Sequence, residues 1–210
     1  MFERTTLPDG PRVISARLPG ARSLSVAAYV LAGSRTEAPD QCGAAHFMEH
    51  LTFKGTDAYP TERLLSEAIE GVGGTNNAAT DRESTVYWTR LPVREAERAV
   101  DVLGELIVRP RLSDAEIDHE REVIIEEIRS YRDDAAQYVY TVFDEIFFGD
   151  TPLGREIAGD EASVRVLPAE SIRDFWRASY RPANIVIAVA GDIAHDHVIE
   201  LVSHSFGRGN

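Results

Sequence analysis

The stretch His46-Phe47-Met48-Glu49-His50 decides how the rest of this 210-residue sequence is interpreted. In a helix, residues four apart lie one turn apart on the same face, so the two histidines project together with the glutamate between them. The neighbouring residues are mostly small or apolar, which predicts a buried helix. Ionisable side chains on a buried helix are costly unless something compensates them, and a metal ion would do so.

The spacing of the histidines therefore predicts a zinc site. Neutral imidazole is a good zinc ligand, and catalytic zinc takes three protein ligands and a water molecule. Glu49 is placed to take a proton from that water. This order of residues is the inverzincin signature, the reverse of the commoner metalloprotease motif. The competing interpretation is a core helix with two chance histidines, because so short a motif can match by chance.

A third zinc ligand has to come from elsewhere in the chain. A capping box at 113–116 predicts the start of a long helix. That helix carries four candidate carboxylates, at Glu120, Glu122, Glu126 and Glu127. We interpret Glu122 and Glu126 as solvated surface residues. Helical periodicity alone leaves both Glu120 and Glu127 open as the ligand.

Composition and charge exclude some classes of function. The sequence is 43% hydrophobic and 27% charged, which is typical of a globular protein. Its formal net charge of −13 argues against binding to nucleic acid or to an anionic membrane. No apolar stretch has the length of a membrane span. The acidity suits a basic partner or substrate, although it would also serve solubility alone.

The cysteine content and the N-terminus bear on the compartment. Cys42 is the single cysteine, so it has no internal disulfide partner, which is compatible with a reducing compartment. It precedes the motif helix through a glycine, and we interpret it as a spare thiol rather than a ligand. The N-terminus lacks the basic start and apolar run of a signal peptide, so a cytoplasmic location is expected.

The order of the predicted elements indicates an α+β fold. Strands are predicted in a hairpin over 3–18, with a turn at Leu7-Pro8-Asp9-Gly10, and over 23–32, 75–79, 84–90 and 185–190. Helices are predicted over about 43–53, 62–70, 93–108, 114–131, 134–148, 168–180 and 195–206. The strand over 23–32 is nearly all apolar or small and should lie centrally. We therefore predict one domain with a mixed, mainly antiparallel sheet and helices packed on one face.

Several further short motifs, spread along nearly the whole chain, support a resemblance to a known family. They are Thr-Thr-Leu-Pro-Asp-Gly at 5–10, the segment around the histidines at 43–56, Ile-Glu at 69–70, Asn-Ala-Ala-Thr-Asp-Arg-Glu at 77–83, Glu-Arg-Glu-Val-Ile-Ile-Glu-Glu at 120–127 and Pro-Leu-Gly at 152–154. With these segments the sequence resembles the pitrilysin, insulysin and mitochondrial-processing-peptidase family of zinc endopeptidases. It looks most like the bacterial processing-peptidase-like branch.

The resemblance implies a role for each matching residue of the metal site. His46 and His50 match the two histidine ligands of zinc, and Glu127 matches the third ligand. Glu49 matches the general base. Glu120 matches a second acidic residue near the metal that supports catalysis.

The resemblance also implies roles outside the metal site. Asn77 and Ala78 match a strand edge that holds the substrate backbone, and an extended peptide can add to such an edge as another strand. Arg82 and Glu83 match a recurrent Arg-Glu pair. We expect that pair to support the zinc-bound histidines indirectly, since such histidines usually donate their other nitrogen to an acceptor.

One departure from the family pattern affects the expected function. Family subunits carry two such domains in tandem, and residues 1–210 match a single N-terminal catalytic domain without the second homologous domain. Three functions remain: a zinc endopeptidase that cuts extended peptides or presequences, a non-catalytic partner subunit of the same fold, and a peptide-binding module without turnover. The complete metal motif favours the endopeptidase. The expected partners are a peptide substrate and a second homologous domain or subunit, or another copy of the chain.

Overall fold

Among the described residues, a six-stranded sheet organises the fold. The computed structural model describes residues 1–8 and 10–207. The strands are β1 (Glu3–Thr6), β2 (Arg12–Arg17), β3 (Ser23–Val30), β4 (Thr75–Thr80), β5 (Thr85–Pro92) and β6 (Ile185–Gly191). They lie in the order β1-β2-β6-β3-β5-β4, and neighbouring strands are antiparallel except for the parallel pair β2 and β6. The predicted mixed, mainly antiparallel sheet is confirmed.

Strand β3 lies centrally, as the sequence predicts, between β6 and β5. Its side chains alternate between the two faces of the sheet. Leu24, Val26, Ala28 and Val30 are fully buried, whereas Tyr29 is exposed. This alternation is typical of a sheet with one face on the core and the other open. Burial of each larger apolar side chain contributes about 1.5–3 kcal/mol.

Eight helices accompany the sheet in the part of the chain that the structure describes. They are α1 (Ala44–Thr52), α2 (Glu62–Glu70), α3 (Ala96–Val108), α4 (Asp114–Asp133), α5 (Ala135–Phe148), α6 (Glu161–Val166), α7 (Ala169–Ser179) and α8 (His195–Phe206). Helix α3 packs on β3 and β5, α8 packs on β2, and α1 packs on β4, α4 and α7. Among the described residues, no helix has the length and apolar character needed to cross a membrane.

The structure differs from the predicted elements in three places. Helix α6 was not predicted, because six residues give too short a pattern, although Asp160 caps it through the amides of Ala162 and Ser163. The helix predicted over 93–108 begins with a 3-10 turn at Val93–Glu95. Helix α5 packs mainly against α4.

The turn of the first hairpin is present, because the amide of Gly10 donates to the carbonyl of Leu7 at 2.9 Å. Asp9 of the predicted turn and residues 208–210 of the predicted domain lie outside the described residues.

Candidate metal centre

Two packed helices, α1 and α4, build the candidate site. Helix α1 is fixed by an apolar surface whose members are at most 1% exposed: Ala44, Ala45, Phe47, Met48 and Leu51. The guanidinium of Arg121 on α4 lies over the Phe47 ring, 5.5 Å from its centroid. This packing turns the histidine side of α1 toward α4.

His46, His50 and Glu127 come together at the α1–α4 contact. The Oε2 atom of Glu127 lies 3.4 Å from Nε2 of His50 and 3.8 Å from Nε2 of His46. One possible ligand atom from each residue lies within 4.8 Å of the other two. Two imidazole nitrogens and one carboxylate oxygen are the donor set of a catalytic zinc site with one open position.

Of the two carboxylates that periodicity left open, position favours Glu127 as the third ligand, because Glu127 lies near both histidines and Glu120 contacts His50. Glu120 is 1% exposed, and its Oε2 atom lies 3.1 Å from Nδ1 of His50. Its Oε1 atom lies 3.1 Å from Nζ of Lys54. A carboxylate that accepts from the second nitrogen of a ligating histidine orients the ring. In a zinc site built on His50, Glu120 would orient the His50 ring.

The electrostatics of the site suit a cation. Burial lowers the pKa of His46, and the neighbouring His50 lowers it further, so the His46 ring stays neutral and keeps a lone pair. Burial alone would lower the pKa of His50, but hydrogen bonds with Glu127 and Glu120 outweigh it and raise the pKa. The hydrogen bond with His50 holds the pKa of Glu127 below its usual value. The residues present thus fit zinc, with a neutral imidazole, a second imidazole and an ionised carboxylate.

A cavity of about 610 Å³ opens beside the three candidate ligands. Glu49 lines it together with His46 and Glu127, and Glu49 is partly exposed to it. Its other charged lining residues are Arg82, Arg132, Asp144, Glu145, Arg155, Glu156 and Asp160. Carboxylates outnumber guanidinium groups, so the cavity is net acidic.

Tyr131 lines the cavity and contacts a candidate ligand, although the sequence analysis did not identify it. Its hydroxyl donates to Oε1 of Glu127 at 3.0 Å. The two residues are four apart on α4, and this spacing is the signal that could have found the contact. Lys54 was missed for a different reason, since its contact with Glu120 joins residues far apart in sequence.

Strand β4 carries the predicted substrate-binding residues at the outer edge of the sheet. The side-chain oxygen of Asn77 accepts from the amide of Ala78 at 2.8 Å. Ala79 and Thr80 of the same strand line the cavity. The structure therefore places this edge beside the candidate ligands.

Arg82 and Glu83 pair with residues other than the two histidines, and their indirect support of the zinc ligands stays a prediction. Arg82 donates to Asp144 at 2.5 Å and to the carbonyl of Leu153 at 3.0 Å. Glu83 is exposed and pairs with Arg35. The acceptor beside His50 is Glu120, supplied by α4.

Comparison with known proteins identifies the family. The family model described as Insulinase (Peptidase family M16) matches residues 12–161. The chain belongs to this family. A second model, Peptidase M16 inactive domain, matches residues 167–210. The resemblance seen in the sequence is confirmed.

Relatives of the M16 domain are named as zinc proteases and processing peptidases. An uncharacterized zinc protease of Mycobacterium leprae (strain TN) is 39% identical over 204 residues, which cover 97% of this chain and 46% of the relative. A probable beta subunit of the mitochondrial-processing peptidase of Arabidopsis thaliana is 36% identical, over 97% of this chain and 38% of the relative.

A solved structure shows the same fold. A protease from Helicobacter pylori matches with a TM-score of 0.95 and 25% identity, over 100% of this chain and 51% of that one. The chain thus spans about half the length of that protein, and half or less of the curated relatives it matches.

Proposed function

We propose that this chain is the catalytic domain of a zinc endopeptidase that hydrolyses extended peptides or presequences. Membership of the M16 family and the names of its relatives support a zinc protease. The observation that carries the proposal is the convergence of His46, His50 and Glu127 beside a cavity that Glu49 also lines. This is a donor set for zinc with a carboxylate in reach of a substrate.

Each residue has a defined part in peptide hydrolysis. His46, His50 and Glu127 would hold zinc, which supplies Lewis acidity toward the peptide carbonyl and the attacking water when it is bound. Glu49 takes a proton from that water at its carboxylate, and the water oxygen bonds to the carbonyl carbon. Glu49 then passes the proton to the amide nitrogen as the C–N bond breaks. Glu120 keeps the His50 ring in place throughout.

The surroundings of the site suit an extended, basic peptide. β4 is an outer strand next to the cavity, and a substrate segment can pair with such an edge as an added strand. The cavity is net acidic and the whole chain carries a formal net charge of −13, so a cationic segment is favoured. Asn77 and Ala78 are the positions proposed to hold its backbone.

A second homologous domain or subunit is the proposed partner, because this chain spans about half or less of the proteins cited above. A competent site needs substrate held close to the attacking water in a closed space. We therefore expect the 210-residue chain alone to cleave peptides poorly, and to gain efficiency when a second half is supplied, fused or as a separate protein. Equal catalytic efficiency of the isolated chain would contradict the two-half proposal.

The test of the proposed mechanism is Glu49→Gln in the protein with its second half present. The change preserves the shape of the side chain and removes its basic oxygen. Zinc content should remain, while kcat/KM on a basic peptide should fall on the order of 100-fold or more. Glu122→Gln is the matched control, since Glu122 is exposed on α4 and should leave turnover unchanged. Near-normal activity of Glu49→Gln would refute the general-base assignment, and a metal-loaded wild type without turnover would favour a peptide-binding module.

A further inference from the structure

A carboxylate from outside α1 satisfies the start of that helix. The Oε2 atom of Glu37 accepts from the amide of Gly43 at 3.0 Å, and its Oε1 atom accepts from the amide of Ala45 at 2.8 Å. Glu37 is 5% exposed. The first amides of a helix have no partner within the helix, and a carboxylate also interacts favourably with the positive end of the helix dipole.

The usual means of capping is unavailable to α1. The N-cap residue is Gly43, which has no side chain to accept a hydrogen bond. Its φ of +94° disfavours other residues, and a Cβ atom there would lie 2.8 Å from the carbonyl oxygen of Ala158. A serine or aspartate at the N-cap is thereby excluded, so the capping group has to come from elsewhere in the chain.

The backbone of Glu37 is itself held on both sides. Its amide donates to the carbonyl of Ser34 at 3.3 Å, and its carbonyl accepts from Nη1 of Arg155 at 3.3 Å. Arg155 lines the same cavity as Glu49. The Glu37 carboxylate thus contacts α1 from a backbone that is hydrogen-bonded to Ser34 and to Arg155, and Arg155 also lines the cavity.

We infer that Glu37 is a positioning residue that fixes the first turn of α1 and, through it, His46. Of the two histidines, His46 follows directly after Ala45, whereas His50 lies one turn later and is held by Glu120. Loss of Glu37 should therefore loosen His46 more than His50. This inference adds to the proposed zinc site a residue that touches neither substrate nor any of the three candidate ligands.

The test compares Glu37→Gln with Thr61→Ala at pH 8. Glutamine keeps the size of the side chain but offers one oxygen and an NH₂ group, so one of the two amides faces a donor. Thr61→Ala is a matched control because Thr61 caps α2, through the amide of Leu64, and α2 carries no candidate ligand. The readouts are the zinc dissociation constant by chelator competition, the d–d spectrum of the cobalt-substituted protein, and hydrogen exchange of the Ala45 amide in the metal-free protein.

Glu37→Gln should raise the zinc dissociation constant by about 10-fold to 100-fold, change the cobalt spectrum and speed exchange at Ala45 by at least about tenfold. Thr61→Ala should alter none of the three. The inference is overturned if Glu37→Gln matches the wild type, or if Thr61→Ala weakens zinc binding equally. A wild type that binds no zinc would refute the proposed metal site, and exchange at Ala45 would still decide whether Glu37 fixes the helix.

Discussion

Replacing Lys54 by methionine should destabilise the protein through the buried carboxylate of Glu120. Nζ of Lys54 lies 3.1 Å from Oε1 of Glu120, whose side chain is 1% exposed, while Lys54 itself is 22% exposed. Nζ also pairs with the exposed Glu62 at 3.0 Å. Methionine keeps most of the apolar stem and removes the charge, so the substitution isolates the loss of the ion pair.

The expected loss follows from the burial of the pair. Removing one partner of a buried ion pair costs about 3–5 kcal/mol because a buried charge is left uncompensated. Lys54 is partly exposed and Glu120 retains His50, so we expect the lower end, about 3 kcal/mol in the free energy of unfolding. Arg63→Met is the control, since Arg63 and Glu67 are largely exposed and their pair is worth about 0–1 kcal/mol.

Urea denaturation of the metal-free protein measures both effects. A double-mutant cycle with Glu120→Gln should show coupling, because Lys54→Met costs little once Glu120 no longer carries a charge. A loss below about 1 kcal/mol for Lys54→Met, or strict additivity in the cycle, would refute the reasoning.

Three further changes test other parts of the structure. Burial raises the pKa of Glu37 from 4.5 to about 7, against the lowering effect of two backbone amides and Arg155. The contribution of Glu37 to stability is therefore complete below pH 4.5 and is lost as the pH rises through 7. Between these pH values, urea denaturation should show the wild type losing up to about 3 kcal/mol relative to Glu37→Gln, and parallel pH profiles of the two proteins would contradict this. Tyr131→Phe removes the donor to Glu127 and should weaken zinc binding by about tenfold in a chelator competition, whereas an unchanged dissociation constant would show that the hydroxyl does not hold the ligand. Leu51→Ala in the buried face of α1 should lower the free energy of unfolding by about 2–5 kcal/mol, and a loss below 1 kcal/mol would mean that α1 is not anchored as described.

Local patterns were sufficient to predict most of the secondary structure. The four-residue spacing of His46 and His50 indicated helix α1, and the capping box at Ser113 indicated helix α4. The apolar run of β3 indicated that this strand lies centrally in the sheet. In each case the sequence pattern and the structure that it predicts lie within one helix or strand. The sequence also restricted the third ligand to Glu120 or Glu127, and the family resemblance selected the one that faces both histidines.

What the sequence did not predict depends on contacts between residues of different structural elements. The pairing of Lys54 with Glu120 and the bridge from Glu37 to the start of α1 have no local pattern. The partner of Arg82 was not predicted either, because Asp144 lies on α5, a helix whose position relative to the sheet could not be deduced from its sequence.

The proposed function rests on a zinc site made by His46, His50 and Glu127. Metal analysis of the purified chain after equilibration with zinc and gel filtration tests it most directly, with wild type and Glu127→Gln side by side. The expected result is about one zinc per wild-type chain and a large loss in the variant, with both folded by circular dichroism. Full zinc occupancy in Glu127→Gln, or a folded wild type that retains no zinc, would contradict the claim.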